Sequence, residues 1–268
     1  MNTLDYRVAD GVATLTLNRP AAKNAIDIEM ADELGDLFSA IRRDSEVRAL
    51  VITGAGGAFC SGGDVRGMGK GPPRTHEQRR AGMERYRRLT AELAGIDRPV
   101  IAAVDGVAFG AGFSLALLSD IVLVSTRARF CMVFHRIGLI PDIGALYTLP
   151  RVVGLQRAKE LIFSARDIEA EEAVKLGIAL EVLEPEALLP RAQAIAKSFV
   201  GASPVAMSLS KQALQMSLQS DLNAMLEFEA SGQALASGSE YAKESVRRFA
   251  AKEPAQFRWI PHDAKGST

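Results

Sequence analysis

Val12 to Leu17 alternates strictly, with Ala13, Leu15 and Leu17 on one side and Thr14 and Thr16 on the other. This period of two predicts a half-buried strand. Asn18-Arg19-Pro20 ends it, since proline cannot continue a ladder. Asp27 then stands ahead of Met30, Leu34, Leu37 and Ile41, which recur at helical spacing, and a helix capped by Asp27 is predicted. Ala49–Thr53, Val100–Val104 and Ile121–Val124 are apolar runs that predict short buried strands. The first is followed by the loop Gly54-Ala55-Gly56-Gly57. The arginine-rich stretch 74–95 predicts a further helix.

From Leu146 onward the composition shifts to helix formers with few strand signals. Helices are predicted over Gln156–Ser164, Glu169–Leu176, Glu186–Phe199, Asp221–Leu235 and Glu240–Ala250. Ser203-Pro204 supplies a cap and a first turn for one more. No repeat or low-complexity linker interrupts the chain. Periodicity alone gives an α/β protein with a helical tail.

With 268 residues, the chain can bury a full core in one large domain or two modest ones. Lys plus Arg and Asp plus Glu both total 32, so the chain lacks the basic field that draws nucleic acid or a membrane surface. Cys60 and Cys131 cannot build a disulfide framework and read as reduced thiols, which suggests the cytoplasm. Residues 1–10 are polar and lack the apolar centre of a signal peptide. The uncharged stretch Gly106–Ser119 falls short of the roughly 18 residues of a membrane span.

Two glycine loops carry candidate chemistry. In Ala58-Phe59-Cys60-Ser61-Gly62-Gly63-Asp64, paired glycines allow the backbone to approach a ligand closely; a plain tight turn is the alternative. In Asp105–Ser114 a strand ends, small residues follow and a helix begins near Ala111, leaving free N–H groups for a developing anion. One N–H from each loop could converge on one oxygen as an oxyanion hole. A dinucleotide fingerprint fails because Leu115 stands where its third glycine belongs, and no phosphate-binding GxxxxGK[ST] run occurs.

These segments resemble the crotonase superfamily, the enoyl-CoA hydratases and isomerases. The resemblance rests on Leu17-Asn18-Arg19-Pro20 with Asn24-Ala25-Ile26, on Gly57–Val65, on Pro99–Val124 and on Gly138–Gly154, and spans residues 5–258. It implies an α/β fold with a β-β-α spiral core over residues 1–200 and a helical trimerisation region over 201–268. It further implies acyl-CoA thioester substrates, with coenzyme A part of the substrate and no separate cofactor or metal, and a homotrimer or dimer of trimers. Carried over residue by residue, it gives an oxyanion hole from the N–H groups of Gly63 and Ala111. Coenzyme A contacts fall to Arg19, Ala21, Ala25, Arg66 and Lys252, although Arg66 and Lys252 also read as solvated charges. Of Arg74, Arg79, Arg80, Arg85, Arg87 and Arg88, most read as a solvated helix face.

Hydration needs two acid/base groups. The positions matching the family's two glutamates are Ser114 and Phe134, and neither can act as a base at neutral pH. Asp142, in Pro141-Asp142-Ile143-Gly144, remains. By resemblance to isomerases of the phenylacetate-degradation type it acts alone, shifting a 3-enoyl-CoA double bond to position 2. As an aspartate after proline at a helix start, it also reads as an N-cap. Other crotonase-type reactions stay open: hydration by a rearranged site, hydrolytic dehalogenation with Asp142 as nucleophile and His76 as base, or a silent acyl-CoA-binding protein. His135 is read on a strand, and His262 lies in the tail. Met68, Tyr86 and Tyr147 are candidates for an acyl pocket or for packing. Cys60 lacks a histidine partner and reads as packing.

Overall fold

The chain starts with a hairpin, β1 (Leu4–Ala9) antiparallel to β2 (Val12–Leu17), which pairs Leu4 with Leu17. Parallel strands β3 (Ala49–Gly54) and β4 (Val100–Val104) follow, with α1 (Ile28–Arg43) between β2 and β3. Next come β5 (Val107–Phe109), α4 (Ala111–Leu117) and β6 (Ile121–Ser125). The computed structural model describes residues 1–67 and 73–261; Met68 and His262 lie outside the described residues.

Two helices, α2 (His76–Gly82) and α3 (Glu84–Ala94), replace the single helix expected over 74–95. A capping box from Thr75 and Gln78 starts α2, and the break falls at Met83. The reason is burial: α3 anchors Leu89 and Leu93 in the core, whereas α2 buries no residue. Ion pairs Arg85–Asp32 (2.7 Å) and Arg88–Asp36 (2.6 Å) fasten α3 along α1. Those arginines are solvated, as the sequence suggested, yet they also fix a helix pair.

After β6 come β7 (Arg129–Cys131), α5 (Ala145–Val153), α6 (Leu155–Ser164), β8 (Ile168–Glu169), α7 (Ala170–Lys175), β9 (Glu181–Leu183) and α8 (Pro185–Val200). The large sheet runs β1-β2-β3-β4-β6-β9, and a small one runs β5-β7-β8. Strand β4 is apolar throughout, and β3 is so apart from Thr53, whose hydroxyl donates to the Ala103 carbonyl, because helices cover both faces of a parallel sheet. One face, with Val12, Ala49, Val51, Ile101, Ala103 and Leu123, packs on Leu188, Ala192, Ile195, Ala196 and Phe199 of α8. The other, with Leu15, Leu50, Ile52, Ala102 and Val124, joins the larger core beneath α1, α3 and α4.

The tail forms α9 (Pro204–Ser217), α10 (Leu222–Ser237) and α11 (Glu240–Ala250), and these three helices bury none of their residues within this chain. Ser203 caps α9 by accepting the Ala206 N–H, as the Ser-Pro pair predicted. Missed from the sequence were β1, a half-exposed edge with polar alternation, and the two- and three-residue strands β5, β7, β8 and β9. Such short strands are set by their sheet partners rather than by periodicity. Among the described residues no helix is long and apolar enough to cross a membrane.

Candidate active site

The segment Ala58–Gly63 lies along β5. The Cys60 N–H donates to the Val107 carbonyl and the Phe109 N–H donates to the Cys60 carbonyl, each at 2.9 Å. Two glycines make this approach possible. A Cβ on Gly112 would stand 2.2 Å from the Cys60 carbonyl oxygen, and one on Gly62, where φ is +105°, would stand 2.9 Å from that of Phe109. The Gly62 position would also lie 3.7 Å from the Ala111 nitrogen, so the two glycine loops meet at this point. The Gly110 N–H donates to the Cys131 carbonyl at 2.8 Å. Among the described residues, the N–H groups of Gly63 and Ala111 have no hydrogen-bond acceptor in the protein.

The Gly63 loop is held from its other side by the segment after β2. Ile26 N–H donates to the Gly62 carbonyl (2.8 Å) and Asp64 N–H to the Ile26 carbonyl (2.9 Å). Buried Asn24 donates to the carbonyls of Ala55 (2.9 Å) and Ala58 (2.7 Å) and accepts the Arg19 N–H (2.9 Å). The motif containing Asn24 was visible in the sequence; its role as the staple of this loop was not.

Ser114 and Phe134, at the positions where glutamates would serve hydration, are engaged otherwise. The Ser114 hydroxyl is buried in α4 and donates to the Gly110 carbonyl at 3.1 Å. Phe134 is buried and its ring approaches Gly110. His135 sits not on a strand but on a 3-10 turn, Val133–Ile137, where it is exposed and stacks on Phe163. Gly138, left-handed, closes that turn by donating its N–H to the His135 carbonyl.

The cap reading of Asp142 fails. Helix α5 starts at Ala145 with Gly144 at its N-cap position and no side-chain cap. Both Ile143 (φ +48°) and Gly144 (φ +77°) are left-handed, which turns Asp142 out of the helix start. A β-branched residue in that region is strained, and such strain persists where the surroundings enforce it. A Cβ on Gly144 would stand 3.4 Å from Thr90 of α3 and 3.5 Å from Leu118 just after α4, so the turn is wedged between those helices. Oδ1 of Asp142 is buried and has no hydrogen-bond partner among the described residues. Burial pushes its carboxyl up to about 6, against a smaller opposing effect of its own backbone N–H.

Tyr86 stands on α3 one turn before Thr90, whose hydroxyl donates to the Tyr86 carbonyl. Its phenol is pushed up by burial and then by the charge of Asp142, which places the two groups in one electrostatic neighbourhood. Tyr86 lines an open cleft of about 700 Å³ together with Ile26, Asp27, Ile28, Glu29, Asp64 and Arg66.

The remaining candidates separate. Arg19 is turned inward: its guanidinium donates to the Ala25 carbonyl and pairs with Asp27 (2.8 Å) and Asp64 (3.1 Å). Ala21 lies on a 3-10 turn, Pro20–Ala22, and Ala25 is buried with its N–H bonded to the Ala22 carbonyl. The Ser61 N–H donates to the Lys23 carbonyl, so this segment does abut the Gly63 loop. Arg66 is exposed at the cleft and pairs with Asp64. Lys252 follows α11, exposed and left-handed, and does not line the cleft. Tyr147 is occupied elsewhere: its hydroxyl accepts from Gln219 (2.7 Å) and Arg151 lies over its ring. His76 opens α2 on the surface and does not line the cleft. Cys60 is buried, and burial pushes its thiol up to about 12, so it stays protonated and carries no nucleophile. Among the described residues no three His, Cys, Asp or Glu side chains gather as a metal site requires.

Two abutting glycine loops thus leave two N–H groups without an acceptor among the described residues, and the partly buried Asp142 carboxyl shares an electrostatic neighbourhood with Tyr86 of the cleft. The profile described as Enoyl-CoA hydratase/isomerase matches residues 7–259, and the chain belongs to that family, within the crotonase superfamily. It is 38% identical over 251 residues to the 1,2-epoxyphenylacetyl-CoA isomerase of Escherichia coli, covering 93% of this chain and 96% of that one. It is also 38% identical over 245 residues to the short-chain-enoyl-CoA hydratase of Clostridium acetobutylicum, covering 90% and 92%. The crystal structure of an enoyl-CoA hydratase/isomerase from Cupriavidus metallidurans superposes with a TM-score of 0.90 at 43% identity, covering 98% of this chain and 99% of that one.

Proposed function

We propose that this enzyme is an acyl-CoA isomerase that moves a double bond from position 3 to position 2, with Asp142 as its single proton shuttle. The observation that carries the reading is the partly buried Asp142 carboxyl, which caps no helix and whose buried Oδ1 has no partner among the described residues. The Asp142 carboxylate takes a proton from C2 of a 3-enoyl-CoA. The electron pair of that C–H bond moves into the thioester, whose oxygen becomes an enolate oxygen. The N–H groups of Gly63 and Ala111 donate to that oxygen. The C3–C4 double bond then takes the proton from Asp142 at C4, the C1–C2 enolate pair becomes the C2–C3 double bond, the oxygen re-forms the thioester carbonyl, and the carboxylate is restored. One base thus serves both transfers, and neither the Ser114 hydroxyl nor the Phe134 ring is needed.

The name of the Escherichia coli relative supports isomerase chemistry, and that of the Clostridium relative keeps hydration as the second reading. Two assays in parallel decide between them: conversion of 3-hexenoyl-CoA to its conjugated isomer, and hydration of crotonyl-CoA. Isomerisation is expected to exceed hydration at least about 100-fold, because the positions that would supply the two carboxylates of hydration hold Ser114 and Phe134. Hydration at a comparable rate overturns the assignment.

The same reading fixes a pH dependence. Only ionised Asp142 can accept the C2 proton, so kcat/KM rises with pH and levels off above about 6. Below that midpoint it falls about tenfold per pH unit. A profile flat through this range shows that another group abstracts the proton.

Arg66 at the cleft and the Ala21–Ala25 segment beside the Gly63 loop are the proposed contacts for coenzyme A, with Arg19 shaping that segment from within. Lys252 would reach coenzyme A only across an assembly. Leu214, Leu218, Leu222, Leu235 and Phe249 are exposed along α9–α11, with Phe249 87% exposed, and such an apolar surface supports a homotrimer or dimer of trimers. Sedimentation at micromolar concentration is expected to give three or six copies; a monomer refutes the assembly. The two unpaired cysteines fit a reducing cytoplasm.

A further inference from the structure

The geometry points to the Arg19–Asp64 ion pair as the positioning device that aims the Gly63 N–H at the thioester oxygen. This rests on the reading of Gly63 as an oxyanion donor and adds two residues to it. Gly63 carries no side chain, and the space where its Cβ would stand has no atom within 4 Å. Local packing therefore leaves its peptide orientation open. Its neighbours settle it: the Gly62 carbonyl and the Asp64 N–H both bond to Ile26, which pins the peptide groups on either side and leaves the Gly63 N–H facing away from that bridge.

The Ile26 bridge is only one residue long, and a single isolated bridge is a weak ladder. Arg19 reinforces it from the side. One guanidinium donates to the carbonyl of Ala25, pairs with Asp27 at 2.8 Å and pairs with Asp64 at 3.1 Å. Two of these partners flank Ile26, and the third directly follows Gly63. The planar fork thus ties together the two strands of the bridge at the point where it orients the donor. Arg19 is 20% and Asp64 11% exposed, so water screens this pair less than a surface pair. Hydrogen bonds from Arg66 and then Arg19 hold the Asp64 carboxyl well below the usual carboxylate range, so the clamp stays charged wherever the enzyme works. Asp27 adds a second duty, since its carboxyl also caps α1 by accepting the Met30 N–H at 2.9 Å. The start of that helix is thereby coupled to the donor.

Asp64→Asn keeps the shape and removes the charge, and Arg19→Lys keeps the charge and removes the fork. Each is expected to lower kcat for 3-hexenoyl-CoA about tenfold at saturating substrate, because the transition-state contact is misaimed. The decisive reading is independent of turnover. Acetoacetyl-CoA is an enolisable thioester whose bound enolate is followed by its ultraviolet absorbance, and butyryl-CoA has no comparably acidic C–H. The enolate fraction per bound acetoacetyl-CoA, read at saturating thioester so that any change in coenzyme A affinity (followed with butyryl-CoA) drops out, is expected to fall about tenfold in each variant, and the double variant is expected to be no worse than either single one. Counting per bound thioester removes any loss of folded protein from the comparison. If wild type itself draws no enolate, the oxyanion reading of Gly63 fails. If wild type does and both variants match it within about twofold, the donor reading stands and the clamp is overturned.

Discussion

Asp142→Asn is expected to slow isomerisation of 3-hexenoyl-CoA by about 10²–10⁴-fold, the usual contribution of a positioned acid/base group. KM should change little, since asparagine fills the same space and the thioester donors are untouched. The same substitution is expected to stabilise the protein. A carboxyl pushed up to about 6 from its ordinary 3.8 disfavours ionisation in the folded state. Its protonated form is at home in the fold below the ordinary value, and that advantage disappears as pH rises through about 6. Above neutrality the wild type therefore carries an ionisation penalty on the order of 2–3 kcal/mol that asparagine removes. Urea midpoints should rise in the variant at neutral pH and coincide with wild type near pH 4. Equal rates in the two proteins would remove Asp142 from the chemistry; equal midpoints at neutral pH would show that its carboxyl pays no such penalty.

Gly112→Ala should be severely damaging for a single methyl group. Its Cβ would stand 2.2 Å from the Cys60 carbonyl oxygen and 2.7 Å from the Cys60 side chain. The obstacle is backbone that is itself bonded to Phe109, so no side-chain rotation relieves it. Helix α4 must move off the Cys60 loop, and the Ala111 N–H moves with it. Losing one oxyanion donor costs about 10²–10³ in rate, and the overpacking costs on the order of 3 kcal/mol. Turnover and urea unfolding on the same preparation check both. Wild-type turnover would mean that Ala111 need not lie where this contact sets it. Gly63→Ala is the internal contrast, because its Cβ would meet open space and little stability should be lost.

Much of the framework was legible in the chain. The β2 alternation, the apolar runs of β3, β4 and β6, and the Asp27 cap of α1 are local signals, and each element appears close to its predicted place. Glycine pairs marked both loops of the site, because close backbone approach restricts residue type. The stretch 74–95 reads as one helix but folds as two, whose difference is whether anything lies beneath them. The short strands β5 and β7 exist through their pairing with each other, which no window of local sequence contains.

By itself the sequence determined the family, the two glycine loops, and the absence of ionisable side chains at Ser114 and Phe134. Residue identity and spacing settle such matters. Tertiary structure decided the surroundings of Asp142 and Arg19. Asp142 could have capped a helix; two left-handed residues after it, wedged between α3 and the end of α4, leave its Oδ1 buried without a partner among the described residues instead. Arg19 read as a contact for coenzyme A, yet folding brings Asp27 and Asp64 to it, the latter from 45 positions away in the chain. Dihedral angles and burial depend on what the rest of the chain packs against a residue. Charge, reach and proton affinity follow from that packing, and the sequence names the groups without naming their neighbours.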